Sequence, residues 1–362
     1  MRAPQSPASA RRCFISRSGL RAVGCPGSPQ PILARWTSGG KTWNRACNLQ
    51  QRKEDVAQNV TITVTDIRAA LESEDDFGHE MRVGNILRKL HPPTVGEYAK
   101  VDCTPPKHGG TYTDPLTGKP RQFDYRYRIS RPYLASNIFQ CVLLAVECKN
   151  LHPSSPLVVS GRARTEDEAY HDYIYSHCDD FGNLNPFHTR RAGSRIYALD
   201  KFVGKNLSRL KPSKEKNAKQ KWNIDAGKQS DIYEGWSQAV ASCQELARDA
   251  RSFANVHSAK SYCSFIMPVV VVPNKLLWMA KYDNDGSLQD MGIVPTDALH
   301  YFVETPFRED NSNCNSKPWF ILTHIHFVTM TGFQNLLSGF FSNSEGMWEK
   351  MFPPSVSVFA TG

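Results

Sequence analysis

Three residues in this sequence have the types and spacing to do chemistry together: Asp124, Glu147 and Lys149. Glu147 and Lys149 interrupt the most apolar run of the chain, residues 139–148, and in a strand their i, i+2 spacing puts both side chains on one face. A charge at the end of a core strand is expensive unless it is paired or bound to a metal. Asp124 lies on the polar side of a second segment, in which Phe123, Tyr125, Tyr127 and Ile129 alternate onto the other side. If the two strands pair, Asp124 and Glu147 converge on one hard cation, which takes oxygen ligands in near-octahedral geometry. Lys149 is then placed to hold or deprotonate an attacking water. That set of groups suits metal-assisted hydrolysis of a phosphodiester. A structural reading stands beside it, with Glu147 and Lys149 ending the strand in solvent and Asp124 paired to Arg126 or Arg128.

Gly118-Lys119-Pro120-Arg121-Gln122-Phe123-Asp124, followed after 22 residues by Glu147-Cys148-Lys149-Asn150, resembles the motif of the PD-(D/E)xK nucleases. The resemblance covers about residues 77–180. It implies an α/β, restriction-endonuclease-like fold, a mixed central sheet flanked by helices. In that order a helix precedes the hairpin bearing the Asp, the next strand carries Glu-x-Lys, and another helix follows. It further implies Asp124, Glu147 and the Cys148 carbonyl as metal ligands and Lys149 as the water-positioning residue. Glu80, on the first helix, matches the family's auxiliary carboxylate, with Glu97 a weaker match. Mg²⁺ is the implied cofactor, with Mn²⁺ as a substitute, and DNA the implied partner. Two departures stand out: Phe123 replaces the proline before the Asp, and no Gln-x-x-x-Tyr follows, so the RecB-like branch is not supported. The implied function is a Mg²⁺-dependent DNA endonuclease. The rival is a catalytically inactive, nuclease-like nucleic-acid-binding or scaffold protein, and homodimerisation stays open.

Residues 77–90 carry Met81, Val83, Ile86, Leu87 and Leu90 at helical spacing. A strand is expected over 98–103, then a turn-rich stretch at 104–120, then strands over 121–129 and 139–148. Thr165-x-x-Glu168 is a capping box that predicts a helix to about Ser176. A second amphipathic helix opens at Asp231, with Trp236, Val240, Cys243, Leu246, Ala247 and Ala250 facing inward. Strands follow at 266–272, at 276–282 as its neighbour, and at 319–330, with a last helix around 332–338.

The formal charge of +9 over 362 residues belongs to two places. Ten of the Lys and Arg residues precede the first acid, Glu54, in a Ser-, Pro- and Gly-rich leader. Residues 1–55 are therefore expected to be a disordered basic leader, transit-like or a translated stretch ahead of the true start, and residues 56–362 the nuclease-like domain. Within that domain residues 190–228 hold 12 bases against 3 acids and are expected to be a basic loop or insertion. Arg190, Arg191, Arg195, Lys211, Lys214, Lys216, Lys219 and Lys221 are its candidate DNA contacts, since neutralising phosphates supplies sequence-independent affinity.

Ten scattered cysteines without a CxxC pair give little support to a zinc module or a disulfide framework and make the cytoplasm the expected compartment, with mitochondria the alternative suggested by the leader. No stretch approaches the roughly 20 apolar residues of a membrane helix. His324-x-His326 would share a strand face without an evident third metal ligand, and Gly39-Gly40-Lys41-Thr42 lacks the first glycine of a phosphate loop.

Overall fold

The computed structural model describes residues 63–73, 76–90, 101–114, 118–133, 138–213, 222–225, 229–256, 261–308, 317–343 and 346–352. The expected leader lies outside them, as do Glu97, Lys214, Lys216, Lys219 and Lys221.

Helices α1 (Val64–Ser73) and α2 (Asp76–Lys89) come first. Four short strands follow, β1 (Asp102–Cys103), β2 (Lys107–His108), β3 (Thr111–Thr113) and β4 (Pro120–Gln122). The long hairpin is β5 (Tyr125–Tyr133) and β6 (Ile138–Cys148). Next are β7 (Leu157–Ala163), β8 (Tyr170–Cys178), β9 (Leu184–Ala192), β10 (Phe202–Pro212) and β11 (Trp222–Asp225). Helix α3 (Gln229–Arg251) and a short helix at Phe253–Val256 lead to β12 (Ser261–Val272), and β13 (Leu277–Tyr282), β14 (Leu288–Pro295), β15 (Ala298–Phe307), β16 (Phe320–Thr329), α4 (Met330–Ser342) and a short helix at Met347–Met351 follow.

The fold is α/β, a large mixed sheet flanked by few helices. Among the described residues its main path runs β1-β5-β6-β12-β16-β15-β10-β7-β13-β14. The middle strands β6, β12 and β16 run parallel. β12 is buried along its whole length and β6 nearly so, which is why both read as continuous apolar runs rather than alternating ones. Side-chain alternation along β6 splits the interior in two. Val142, Leu144 and Val146 join one core with Val83, Ile86 and Leu87 of α2, while Leu143 and Ala145 join another with Val240, Cys243, Leu246 and Ala247 of α3.

Three expectations are corrected. The capping box at Thr165 forms, with Thr165 N–H donating to Glu168 Oε2 at 3.1 Å, but it opens only a single turn, Glu166–Glu168. The chain then enters β8, because Tyr170-His171-Asp172-Tyr173-Ile174-Tyr175 is rich in aromatics that suit a pleated surface and finds partners in β9 and β12. The helix that follows the Glu-x-Lys strand is instead α3, reached only after five intervening strands. Residues 190–228 are likewise not one loop: they hold the end of β9, all of β10 and β11, in which Val203 and Leu207 are buried. Finally β13 pairs with β7 and β14 rather than with β12, whose edges are already taken by β6, β8 and β16.

Helix α2 packs tightly on β5 at Gly84, where a Cβ would sit 2.2 Å from Tyr125 Oη. Tyr125 is wholly buried, and its hydroxyl donates to the Glu80 carbonyl oxygen at 3.2 Å, so the ring has little room to retreat. Gly84→Ala is expected to cost about 1–3 kcal/mol, seen as a lower midpoint of thermal unfolding; an unchanged midpoint would mean that α2 is not seated here.

Candidate active site at the end of β6

Tyr125 lies opposite Val146 in the antiparallel β5–β6 pair, so the entry of β5 is beside the exit of β6. Asp124 occupies the bend just before β5, and Glu147 and Lys149 bracket the last residue of β6. Asp124 Oδ2 accepts a hydrogen bond from Cys148 N–H at 2.6 Å, which ties the two strand ends together. Lys149 N–H donates to the Val271 carbonyl at 2.9 Å, continuing the register with β12 for one residue beyond the strand.

Glu147 is 3 % exposed and lies on the α3 side of the sheet, in line with Leu143 and Ala145. Its Oε1 is 2.9 Å from Lys149 Nζ. Glu80, in the first half of α2, meets His108 Nε2 through Oε1 at 2.6 Å, and the His108 ring stacks on Tyr125 with centroids 4.6 Å apart. Tyr112 of β3 donates from its hydroxyl to the Gln238 carbonyl at 3.1 Å, which links this corner to α3. Arg126 turns away from Asp124, donating to Ser242 Oγ at 3.0 Å and to Glu245 Oε2 at 2.7 Å. The structural alternative of a solvated Glu147 and an Arg126-paired Asp124 is not what the chain adopts.

The carboxylates feel one another. Burial pushes the Glu147 carboxyl up to about 8, with Asp124 and Glu80 adding to the rise against the pull of Lys149. Asp124 is raised for the same reasons, burial first and the Glu80 charge after it, with the Cys148 N–H opposing. Burial works against the ammonium of Lys149, but Glu147 and Asp124 outweigh it and its pKa is raised. Lys149 therefore stays a cation across neutral pH and is unsuited to take a proton from water. The Cys148 thiol is driven well above its usual range by burial and by Asp124 and Glu147, leaving its carbonyl as the group with ligand character.

Asp124, Glu147, Lys149 and Glu80 are thus brought to one corner, with the Cys148 main chain between them. Lys149 apart, what they offer a ligand are carboxylate and carbonyl oxygens, the set a hard divalent cation takes. Yet among the described residues no group of three or more His, Cys, Asp and Glu side chains is arranged to hold a metal ion. Each carboxylate is already engaged by a protein donor: Asp124 by Cys148 N–H, Glu147 by Lys149, Glu80 by His108. A cation would have to share these carboxylates with those donors.

Of the expected DNA contacts, the described ones are Arg190, Arg191, Arg195 and Lys211. Arg190 Nε lies 3.4 Å from Asp172 Oδ1 with its guanidinium over the Tyr170 ring, and Arg191 donates to the Glu349 carbonyl at 3.1 Å. Arg195 is exposed in the turn after β9, and Lys211 is in β10. Four residues near the site escaped the sequence reading as functional groups: His108, Tyr112, Arg209 and Trp236. The first two sit in a turn-rich stretch without periodicity, and Trp236 has the spacing of a core residue. Lys149, Asn150, Arg209 and Trp236 line a cavity of about 210 Å³ over an apolar floor that includes Val270 and Phe327.

His324 and His326 are buried in a polar knot inside the sheet: the Tyr197 ring stacks on His324 at 3.7 Å, and Tyr197 Oη is 2.9 Å from His326 Nε2. Burial lowers His326 to about 3, so it is neutral in the fold. The other described cysteines, like Cys148, are free thiols, and among the described residues no helix is long and apolar enough to cross a membrane. No family model matches this chain, and neither a curated protein nor a solved structure matches it.

Proposed function

We propose that this chain is a Mg²⁺-dependent DNA endonuclease of restriction-endonuclease-like fold, working in the cytoplasm. The observation that carries the reading is Glu147: a carboxylate almost wholly removed from water, 2.9 Å from Lys149 and electrostatically coupled to Asp124 and Glu80. Such a group costs stability as it stands and is repaid by a cation. The order α2, β5, β6, α3, β12, with β12 parallel to β6 across a helical crossover, supports the fold reading, the five strands before α3 being an insertion.

In this reading Asp124 and Glu147 hold the metal, the Cys148 carbonyl is a third ligand, and Glu80 adds an auxiliary carboxylate. The bound ion would supply Lewis acidity toward the phosphate and a water acidic enough to attack at neutral pH. Lys149, fixed as an ammonium, orients that water and offsets charge on the phosphate; it does not act as the base. His108, hydrogen-bonded to Glu80, holds that carboxylate in place until it is needed.

A second reading has its own support. Each carboxylate already has a protein donor on one oxygen, which suits a nuclease-like protein that has lost catalysis and keeps DNA binding. Nicking of supercoiled plasmid by the full chain in Mg²⁺ or Mn²⁺ separates the two. Nicking that stops with EDTA is the expected result; salt-sensitive DNA binding with no nicking in either metal would establish the inactive protein instead.

A further inference from the structure

The cavity beside Lys149 has a composition that the metal site does not require. Its floor is apolar, with Val270 and Phe327, while Asn150, Arg209, Lys149 and the Trp236 indole supply polar edges and one large aromatic face. Arg209 Nε is buried without a hydrogen-bond partner, a state that costs on the order of 1–3 kcal/mol unless something fills it. The Lys149 side chain is 35 % exposed, so the cavity reaches solvent at the reactive end. At about 210 Å³ it is smaller than the roughly 300 Å³ at which drug-sized pockets begin. That space suits one flat heterocycle and excludes a base pair.

We propose that this cavity holds a single unstacked nucleotide of the DNA strand, its base packed against Trp236 over the apolar floor and its phosphate on Arg209. The inference rests on the DNA-cleaving reading above and places this nucleotide next to the phosphodiester presented to Lys149. An apolar slot with an aromatic wall takes the faces of a base, while a guanidinium with an unfilled N–H takes a phosphate oxygen. Extruding a nucleotide costs a few kcal/mol and least at mismatched or single-stranded positions, so such DNA would be preferred.

The test needs no cleavage. Full-length protein in EDTA is titrated with thymidine 5′-monophosphate, thymidine and inorganic phosphate, following heat and tryptophan emission. The monophosphate is expected to bind at least about tenfold more tightly than either fragment, and Arg209→Met to remove that advantage while leaving thymidine unchanged. Arg209→Lys, which keeps a charge without the fork, is expected to recover part of it. Quenching of emission by the monophosphate should vanish in Trp236→Phe. Equal binding of monophosphate and inorganic phosphate, unaltered binding by both Arg209 variants, or quenching that persists in Trp236→Phe would each overturn the proposal. A protein that nicks plasmid but binds no monophosphate refutes the cavity alone, whereas one that binds it here and never nicks refutes the nuclease reading.

Discussion

Lys149→Ala and Asp124→Asn each lower plasmid nicking at least about a hundredfold, the scale on which a positioned acid, base or charge acts in catalysis. The two variants fail for different reasons. Asp124→Asn keeps an acceptor for the Cys148 N–H, at 2.6 Å in the parent, and so preserves the junction of β5 and β6 while removing a ligand charge. Its loss should be partly recovered at high metal concentration. Lys149→Ala leaves the carboxylates in place and removes the cation 2.9 Å from Glu147, so its loss should persist at saturating Mg²⁺. Glu80→Gln, whose partner His108 can still hydrogen-bond to an amide, should cost less than either, about tenfold. Full activity in both Lys149→Ala and Asp124→Asn would place the chemistry elsewhere.

The second large effect is on pH. Glu147 titrates near 8 in the fold, whereas a carboxyl in the unfolded chain titrates near 4.3. Between those values the native state holds a proton that the unfolded state has released, so stability falls as pH rises through this window, and the full penalty is present above about 8. Asp124, also raised, acts in the same direction. Lys149, whose pKa is raised, contributes stability that is fully present at neutral pH and is lost as pH rises from the unfolded value of about 10.4 through its own folded value, beyond this window. Metal-free protein is therefore expected to lose about 2–3 kcal/mol between pH 6 and 8, and Glu147→Gln to flatten the profile. Because the metal takes the ionised form, Mg²⁺ affinity should climb about tenfold per pH unit below 8 and then level. Thermal unfolding with and without Mg²⁺ at pH 6, 7, 8 and 9 reads both; a midpoint that does not respond to pH in the parent would mean that Glu147 is ionised throughout.

The candidate triad was legible because it breaks a pattern. Charges at 147 and 149 are conspicuous at the end of an eleven-residue strand in which every other residue is apolar or Gln140, and i, i+2 spacing needs only strand geometry to place them together. Asp124 was legible through the alternation of Phe123, Tyr125, Tyr127 and Ile129, although the strand itself starts one residue after it. The fold beyond β6 was not legible, because its strands pair over long sequence separations: β10 lies between β7 and β15, and β12 between β6 and β16. Local signals misled there. The capping box at Thr165 is real as a turn, but the aromatics after it gain more from cross-strand packing than from a helix. The lysines and arginine of β10 hid a strand whose buried side chains, Val203 and Leu207, are too few to show alternation. Arg209 was counted among those cations, and nothing in sequence sets it apart; only the sheet brings it to the cavity beside Lys149.

The central claim is that Asp124 and Glu147 hold a divalent cation although the protein's own donors now occupy them. Binding of Mn²⁺ to the full chain at pH 8, followed by electron paramagnetic resonance as loss of the free-ion signal, addresses it without DNA and without turnover. One ion per chain, displaced by excess Mg²⁺ and lost in the Asp124→Asn, Glu147→Gln double variant, is the expected result. No bound ion, or an ion retained undiminished by the double variant, would contradict it.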